Sequence, residues 1–218
     1  GFSSWRLEVT GSQGHSSTIF GEERGAGAIF EAARILSSFY AELREPYLTY
    51  NPSVIVGGTD VTYDPAAFTG SATGKTNVVP RSVVVEGDMR FLSRGQLEQA
   101  REKMRAIVAA SLPQTSATIT FTDGMPSMEP TEGNRALLAT LDQVSRDLGT
   151  GPITPHDPSK RGAGDISFVA GLVSGLDGLG GWGKNDHAPG EYVDLDEMMV
   201  LTKRAALLMN RVLWSDRP

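Results

Sequence analysis

The chain has 218 residues, 39% hydrophobic and 21% charged, which suits one large or two modest globular domains, each with its own core. A net charge of −6 with no run of Lys or Arg excludes the phosphate-neutralising electrostatics of a nucleic-acid binder, and no apolar stretch nears the ~20 residues of a membrane span. Cysteine is absent, so disulfides, thiolate zinc sites and cysteine nucleophiles are out, and histidine chemistry must come from His15, His156 and His187.

The first half alternates element types. In "WRLEVTG" Trp5, Leu7 and Val9 alternate with Arg6, Glu8 and Thr10, the period of a half-buried strand. From Gly25 to about Leu43 the residues Ala26, Ile29, Phe30, Ala33, Leu36 and Tyr40 recur at helical spacing, and Pro46 ends that region. "LTYNPSVIVGG" and "TNVVPRSVVVEGDMRFLS" then read as two strands joined by a loop rich in Gly, Thr and Pro. Ser93 and Gln96 form a capping box for a helix with Leu97, Ala100, Met104, Ile107 and Val108 on its apolar face. "ATITFTDG" is the closing strand. The order βαββαβ predicts an α+β, ferredoxin-like unit, with both helices on one face of an antiparallel sheet.

Beyond "MPSMEPTEGN" the character changes. A helix is expected from about Asn134 to Leu148, with Leu137, Leu138, Leu141 and Val144 inward and Gly149 as its stop. A polar loop, "TGPITPHDPSKRGAGD", precedes a short helix "ISFVAG", and "SGLDGLGGWG" is expected to hold a short buried strand. Asp194 and Glu197 match a capping box for a last helix, with Met198, Leu201, Ala205, Leu208 and Val212 facing inward. So few strands for about 90 residues look like half a domain, because amphipathic helices need a partner layer. With no initiating Met and no signal-peptide pattern, the chain reads as a piece of a longer protein, and its compartment stays open.

Single residues are ambiguous taken one at a time. "GSATGKT", Gly70 to Thr76, has one residue too few for a P-loop and is followed by a strand, so nucleotide binding is set aside. His15, in "GSQGHSST", is either a solvent-exposed loop histidine or a donor to a developing oxyanion. His156, between prolines, reads as a surface histidine. Arg90 either makes a cross-strand ion pair with Glu86 and Asp88 or binds a carboxylate through its planar fork. Asn77 is a turn residue or an amide donor to a substrate. "KRGAGD", Lys160 to Asp165, is a helix entry capped by Asp165, or an anion site of glycine amides beside Arg161. His187, in the polar loop "GGWGKNDHAPGEYVD", is a weak metal-ligand candidate by itself.

Taken together, "VTGSQGHSS", "TNVVP", "GDMR", "RGAGDISF" and "DHAPGEYVDLDEM", in this order, resemble the zinc-dependent exopeptidase family of glutamate carboxypeptidase, acetylornithine deacetylase, succinyl-diaminopimelate desuccinylase and aminoacylase. The resemblance covers about residues 5 to 214. It implies a lid and dimerisation domain over residues 1–124, and the C-terminal part of an α/β catalytic domain over residues 125–218. It implies a metallopeptidase or amidohydrolase with two zinc ions per active site, His187 being one metal ligand and the others lying upstream of the lid. His15 would reach the partner subunit's active site, Asn77 and Arg90 would hold the substrate, and Arg161 with Gly162 to Gly164 would bind it through a guanidinium and amides. A homodimer and a small carboxylate-bearing amide or peptide substrate follow, with no membrane or nucleic-acid partner. The chain alone is expected to be inert, since one histidine cannot hold a catalytic zinc. The alternatives are a non-catalytic dimerisation module or a carboxylate-binding module using Arg90 and Arg161.

Overall fold

The computed structural model describes residues 1–160, 162–185 and 188–215. The chain divides into two compact units, Gly1–Ser127 and Met128–Pro218.

The first unit carries the expected α+β plan. Strands β1 (Phe2–Gly11), β3 (Thr49–Gly58), β7 (Ser82–Arg90) and β8 (Thr115–Asp123) form one antiparallel sheet in the order β3-β7-β1-β8. Helices α1 (Gly27–Glu42) and α2 (Arg94–Ala109) supply the other layer of the core. The period-2 pattern of β1 holds residue by residue: Trp5, Leu7 and Val9 are buried against α1, and Arg6 and Glu8 face away. Opposite Trp5 stands Gly87, where a Cβ would collide with the indole, so the strand carries a glycine to seat that ring. The indole also packs edge-on to Phe39, with ring centroids 5.9 Å apart, and donates Nε1–H to the Asp88 carbonyl at 3.1 Å.

Helix α2 is capped as expected. Ser93 Oγ accepts from Gln96 N–H at 3.0 Å, and Gln96 Oε1 accepts from Leu92 N–H at 2.8 Å. Helix α1 differs from its expected phase. Its buried residues are Ala28, Glu31, Ala32, Ile35 and Phe39, while Ile29, Phe30 and Tyr40 are exposed. The helix inserts a carboxylate into the core instead of an apolar residue. Glu31 accepts two hydrogen bonds from Arg34, at 2.7 and 2.9 Å, and one from Leu112 N–H at 3.1 Å, which satisfies it without water. Phe20 and Phe30 meet on the outer side with ring centroids 5.7 Å apart, and Ile29 reaches over Gly57 at the β3 edge. Ile55 is exposed along that same edge strand.

The segment expected to be a loop between the two middle strands is a hairpin. Strands β4 (Asp60–Asp64) and β5 (Thr69–Thr73) pair across a turn with Phe68 at φ +52°. Tyr63 alternates inward toward Arg6, which pairs with Glu86 on the sheet's outer face at 2.5 Å. The sequence pattern concealed this hairpin because its two apolar anchors, Val61 and Tyr63, are too few to show a period. The long strand expected from Thr76 is also interrupted. Pro80 lacks an N–H, and the chain breaks there into β6 (Val78–Val79) and β7.

In the second unit α3 (Glu132–Asp147) starts from a Thr131 cap and ends at Gly149, φ +71°, where Thr150 N–H returns to the Ser145 carbonyl at 3.0 Å. Helix α4 (Leu195–Ser215) starts from Asp194, whose Oδ1 accepts from Asp196 and Glu197 N–H groups, both at 3.0 Å. Its inward face is narrower than expected: Leu208 is buried, but Met198 and Val212 are each 38% exposed. "ISFVAG" contributes only a single 3-10 turn, Asp165–Phe168. The buried strand expected in "SGLDGLGGWG" is absent among the described residues. Instead β9 (Gly183–Lys184) and β10 (Tyr192–Val193) form a two-residue ribbon. The glycines at 175, 178, 180 and 181 present no side chains to bury.

Candidate functional site

His15 lies in β2 (Gly14–His15), a short strand that pairs with β6, so that His15 stands opposite Val78. The bond from Ser16 N–H to the Asn77 carbonyl, 2.9 Å, extends this pairing and brings Asn77 next to His15. Two residues 62 positions apart in sequence are thereby gathered at one end of the sheet, and both are exposed.

The hydrogen bonds at His15 define its chemistry. Ser17 N–H donates to Nδ1 at 3.2 Å, and Ser17 Oγ lies 2.8 Å from the same nitrogen. A backbone N–H can only donate, so Nδ1 is the acceptor and the proton of the neutral ring sits on Nε2. The ring therefore directs an N–H donor outward while its other nitrogen is held by the following turn. That suits donation to an oxygen acquiring negative charge. Ser17 was not singled out from the sequence, although "HSST" is the pattern of a histidine capping a turn.

Arg90 is at the opposite end of the sheet. It closes β7, paired in register with Phe2 and Thr49, whereas Asn77 and His15 lie beyond Ser82 at the start of β7. The eight residue steps from Ser82 to Arg90 span roughly 26 Å at about 3.3 Å each. Arg90 is about half exposed, stacks over the Phe2 ring at 5.7 Å, and its Nε donates to Asp88 Oδ2 at 3.3 Å. The expected cross-strand pairing with Glu86 does not form, because Arg6 occupies that carboxylate.

Gly162 is open, and Gly164 precedes the 3-10 turn without a side-chain cap, so Asp165 does not cap it as expected. A Cβ at Gly164 would collide with the Asp177 carboxylate. An anion bound there would meet a negative charge already in place, which weakens the amide-cradle reading of this segment. Arg161 and His187 lie outside the described residues. The ribbon β9–β10 flanks the segment that carries His187, and Asn185 on it donates to the Gly190 carbonyl at 3.2 Å. His156 is exposed, with Nε2 3.2 Å from the Lys160 carbonyl. Among the described residues no three His, Asp or Glu side chains are grouped to hold a metal ion, and no helix is long and apolar enough to cross a membrane. The described residues therefore do not by themselves form a metal centre.

Comparison with known proteins follows the same division. No curated protein matches the sequence. Among solved structures, the chain is similar to aminopeptidase PepT from Bacillus cereus (TM-score 0.70, 16% identity, 97% of this chain and 52% of that one). It is similar to a tripeptidase from Staphylococcus aureus (TM-score 0.67, 19% identity, 95% and 50%). It is also similar to the YxeP protein of Bacillus subtilis, described as a dinuclear metal-binding peptidase of the M20 family (TM-score 0.66, 17% identity, 97% and 50%). The chain thus spans about half the length of the structures it matches. At these identities the likeness shows the shared fold. The family model for the peptidase dimerisation domain matches residues 1–116, which run from β1 through α2 to the first two residues of β8, and the chain belongs to that family.

Proposed function

We propose that this chain is the lid and dimerisation domain, residues 1–124, and the C-terminal part of the catalytic domain, residues 125–218, of a homodimeric metal-dependent hydrolase. Its substrate is a small carboxylate-bearing amide or peptide. The observation that carries the reading is the His15 geometry within a peptidase dimerisation domain: an exposed imidazole whose Nε2–H is aimed outward by Ser17. Two zinc ions are the proposed cofactors of the whole protein, with His187 one of their ligands. Among the described residues no three His, Asp or Glu side chains are grouped to hold a metal, and the chain alone is expected to be inert. Hydrolysis of an N-acyl amino acid by the purified chain, lost on chelation and in His187→Ala, would overturn that.

Within the whole enzyme His15 donates Nε2–H to the carbonyl oxygen as charge develops there, and Asn77 beside it supplies an amide to the same substrate. Arg90 binds the substrate carboxylate through its guanidinium. Since the His15–Asn77 pair and Arg90 stand roughly 26 Å apart in one domain, one small substrate cannot touch both within a single subunit. The two groups therefore serve different sites: the family resemblance assigns His15, and with it Asn77, to the partner's site, which leaves Arg90 to its own subunit's. Two crippled full-length variants, His15→Ala and Arg90→Ala, test this. Mixed after dissociation, they should recover about a quarter of the wild-type activity, because half the dimers are mixed and each holds one intact site. No recovery in verified mixed dimers would show that both groups come from one subunit.

The homodimer itself is supported by the exposed α1 face and the β3 edge. Phe20, Ile29, Phe30 and Ile55 are apolar and adjoin an unpaired strand edge, a combination that a two-fold copy would cover.

A further inference from the structure

We infer that Asp177 is a site of spontaneous isomerisation to isoaspartate, a covalent modification of the loop that packs on Gly164. The chain contains two Asp-Gly pairs, Asp123-Gly124 and Asp177-Gly178, and the structure sets them in opposite situations. In both, the following residue has no side chain to shield its amide nitrogen from the preceding carboxyl carbon.

At Asp177 every local condition favours ring closure. The residue is exposed and lies in a stretch without helix or strand, between the 3-10 turn and β9. Gly178 has φ +74°, a conformation open to glycine and strained for other residues. Its N–H donates to Asp177 Oδ1 at 2.8 Å, so the attacking nitrogen already faces the carboxyl group one bond from its target carbon. At Asp123 the same atoms are restrained. The carboxylate is held by Arg101, and Gly124 N–H is committed to the Phe2 carbonyl at 3.2 Å at the end of β8. Closing a ring there would break an ion pair and a strand hydrogen bond.

The chemistry balances without any co-reactant but water. The Gly178 nitrogen bonds to Cγ of Asp177, its proton and the carboxyl hydroxyl leave as water, and a succinimide results. Water then adds at one of the two ring carbonyls. Addition at the side-chain carbonyl restores aspartate, whereas addition at the main-chain carbonyl breaks the original peptide link and leaves the chain running through Cγ. The product has the same mass and charge but one extra methylene in the backbone. The carboxylate is thereby displaced from the Gly164 contact, and the isomerisation does not depend on the proposed function.

The test is ageing of the purified chain at 37 °C and neutral pH, followed by tryptic mapping. Cleavage after Arg161 and Lys184 isolates Asp177 in residues 162–184, and cleavage after Arg105 and Arg135 isolates Asp123 in residues 106–135. Isoaspartate is read by enzymatic methylation of the freed α-carboxylate and by resistance of the 177 position to an aspartate-specific protease. Expected is time-dependent isoaspartate in residues 162–184, several-fold above that in 106–135, and its loss in Asp177→Glu, whose six-membered ring closes far more slowly. Equal accumulation in the two peptides, no accumulation at 177, or signal persisting in Asp177→Glu each overturns the proposal.

Discussion

Three carboxylates illustrate how the surroundings of one residue decide what it contributes. Glu31 is fully buried yet bonded on every side, by Arg34 and by the Leu112 amide that leads into β8. Its removal strands a guanidinium that is itself about a quarter exposed and a backbone N–H. Glu31→Ala should therefore cost about 2–4 kcal/mol in urea unfolding, and Glu31→Gln less, since the amide oxygen still accepts. Asp142 is on the surface of α3, but Ile153 N–H at 2.7 Å, and then Arg146, hold its carboxyl below the ordinary value. Arg211 does the same for Asp147. A carboxyl whose pKa is lowered by folding stabilises the folded state above its unfolded pKa and loses that contribution as pH falls through the folded pKa. Asp142→Asn should thus lower the melting temperature near pH 7, and the difference from wild type should vanish once the pH is below the carboxylate range. A difference that persists in acid would assign the effect to packing instead of charge.

Among the elements, β1 and α2 were legible in the sequence and α1 only in outline. In β1 each inward residue is large and apolar and each outward one polar, so period and burial coincide. In α1, Ile29, Phe30 and Tyr40 look like core at helical spacing but remain exposed, because Glu31 and Ala32 take the inward phase. A stripe of apolar residues shows that a helix has an apolar face; it does not say which of two available faces meets its own sheet. Gly87 is the clearest case of an element set by a contact across strands. Gly87→Ala should destabilise the unit by about 1–3 kcal/mol through displacement of Trp5, and near-ultraviolet circular dichroism of the tryptophans should change with it. Ser93→Ala should cost about 1 kcal/mol by removing the α2 cap; thermal unfolding measures both.

For the whole molecule, the apolar outer face of α1 and the β3 edge make association the central expectation. Phe30→Asp together with Ile55→Asp should convert a dimer to a monomer in sedimentation while leaving far-ultraviolet circular dichroism intact. A dimer that survives both charges would move the interface elsewhere. If the proposed function holds, the same pair in the full-length protein should abolish activity as thoroughly as His15→Ala, for which a loss on the order of 10²–10³ in kcat is expected, because on that reading His15 serves the partner's site.

The βαββαβ order of the main sheet and its two helices, the α2 and α4 caps, the Gly149 stop of α3 and the candidate residues His15, Asn77 and Arg90 were readable from local pattern and motif. Each of those depends on neighbours within a few residues or on a short signature. What only the tertiary structure decided is distance and phase. It set His15 beside Asn77 through a two-residue pairing, and put Arg90 at the far end of the same sheet. It also turned three large apolar residues of α1 outward and laid a hairpin where a loop was expected. None of these is encoded by periodicity, because each is fixed by contacts between residues tens of positions apart, where packing and hydrogen-bond satisfaction outweigh local preference.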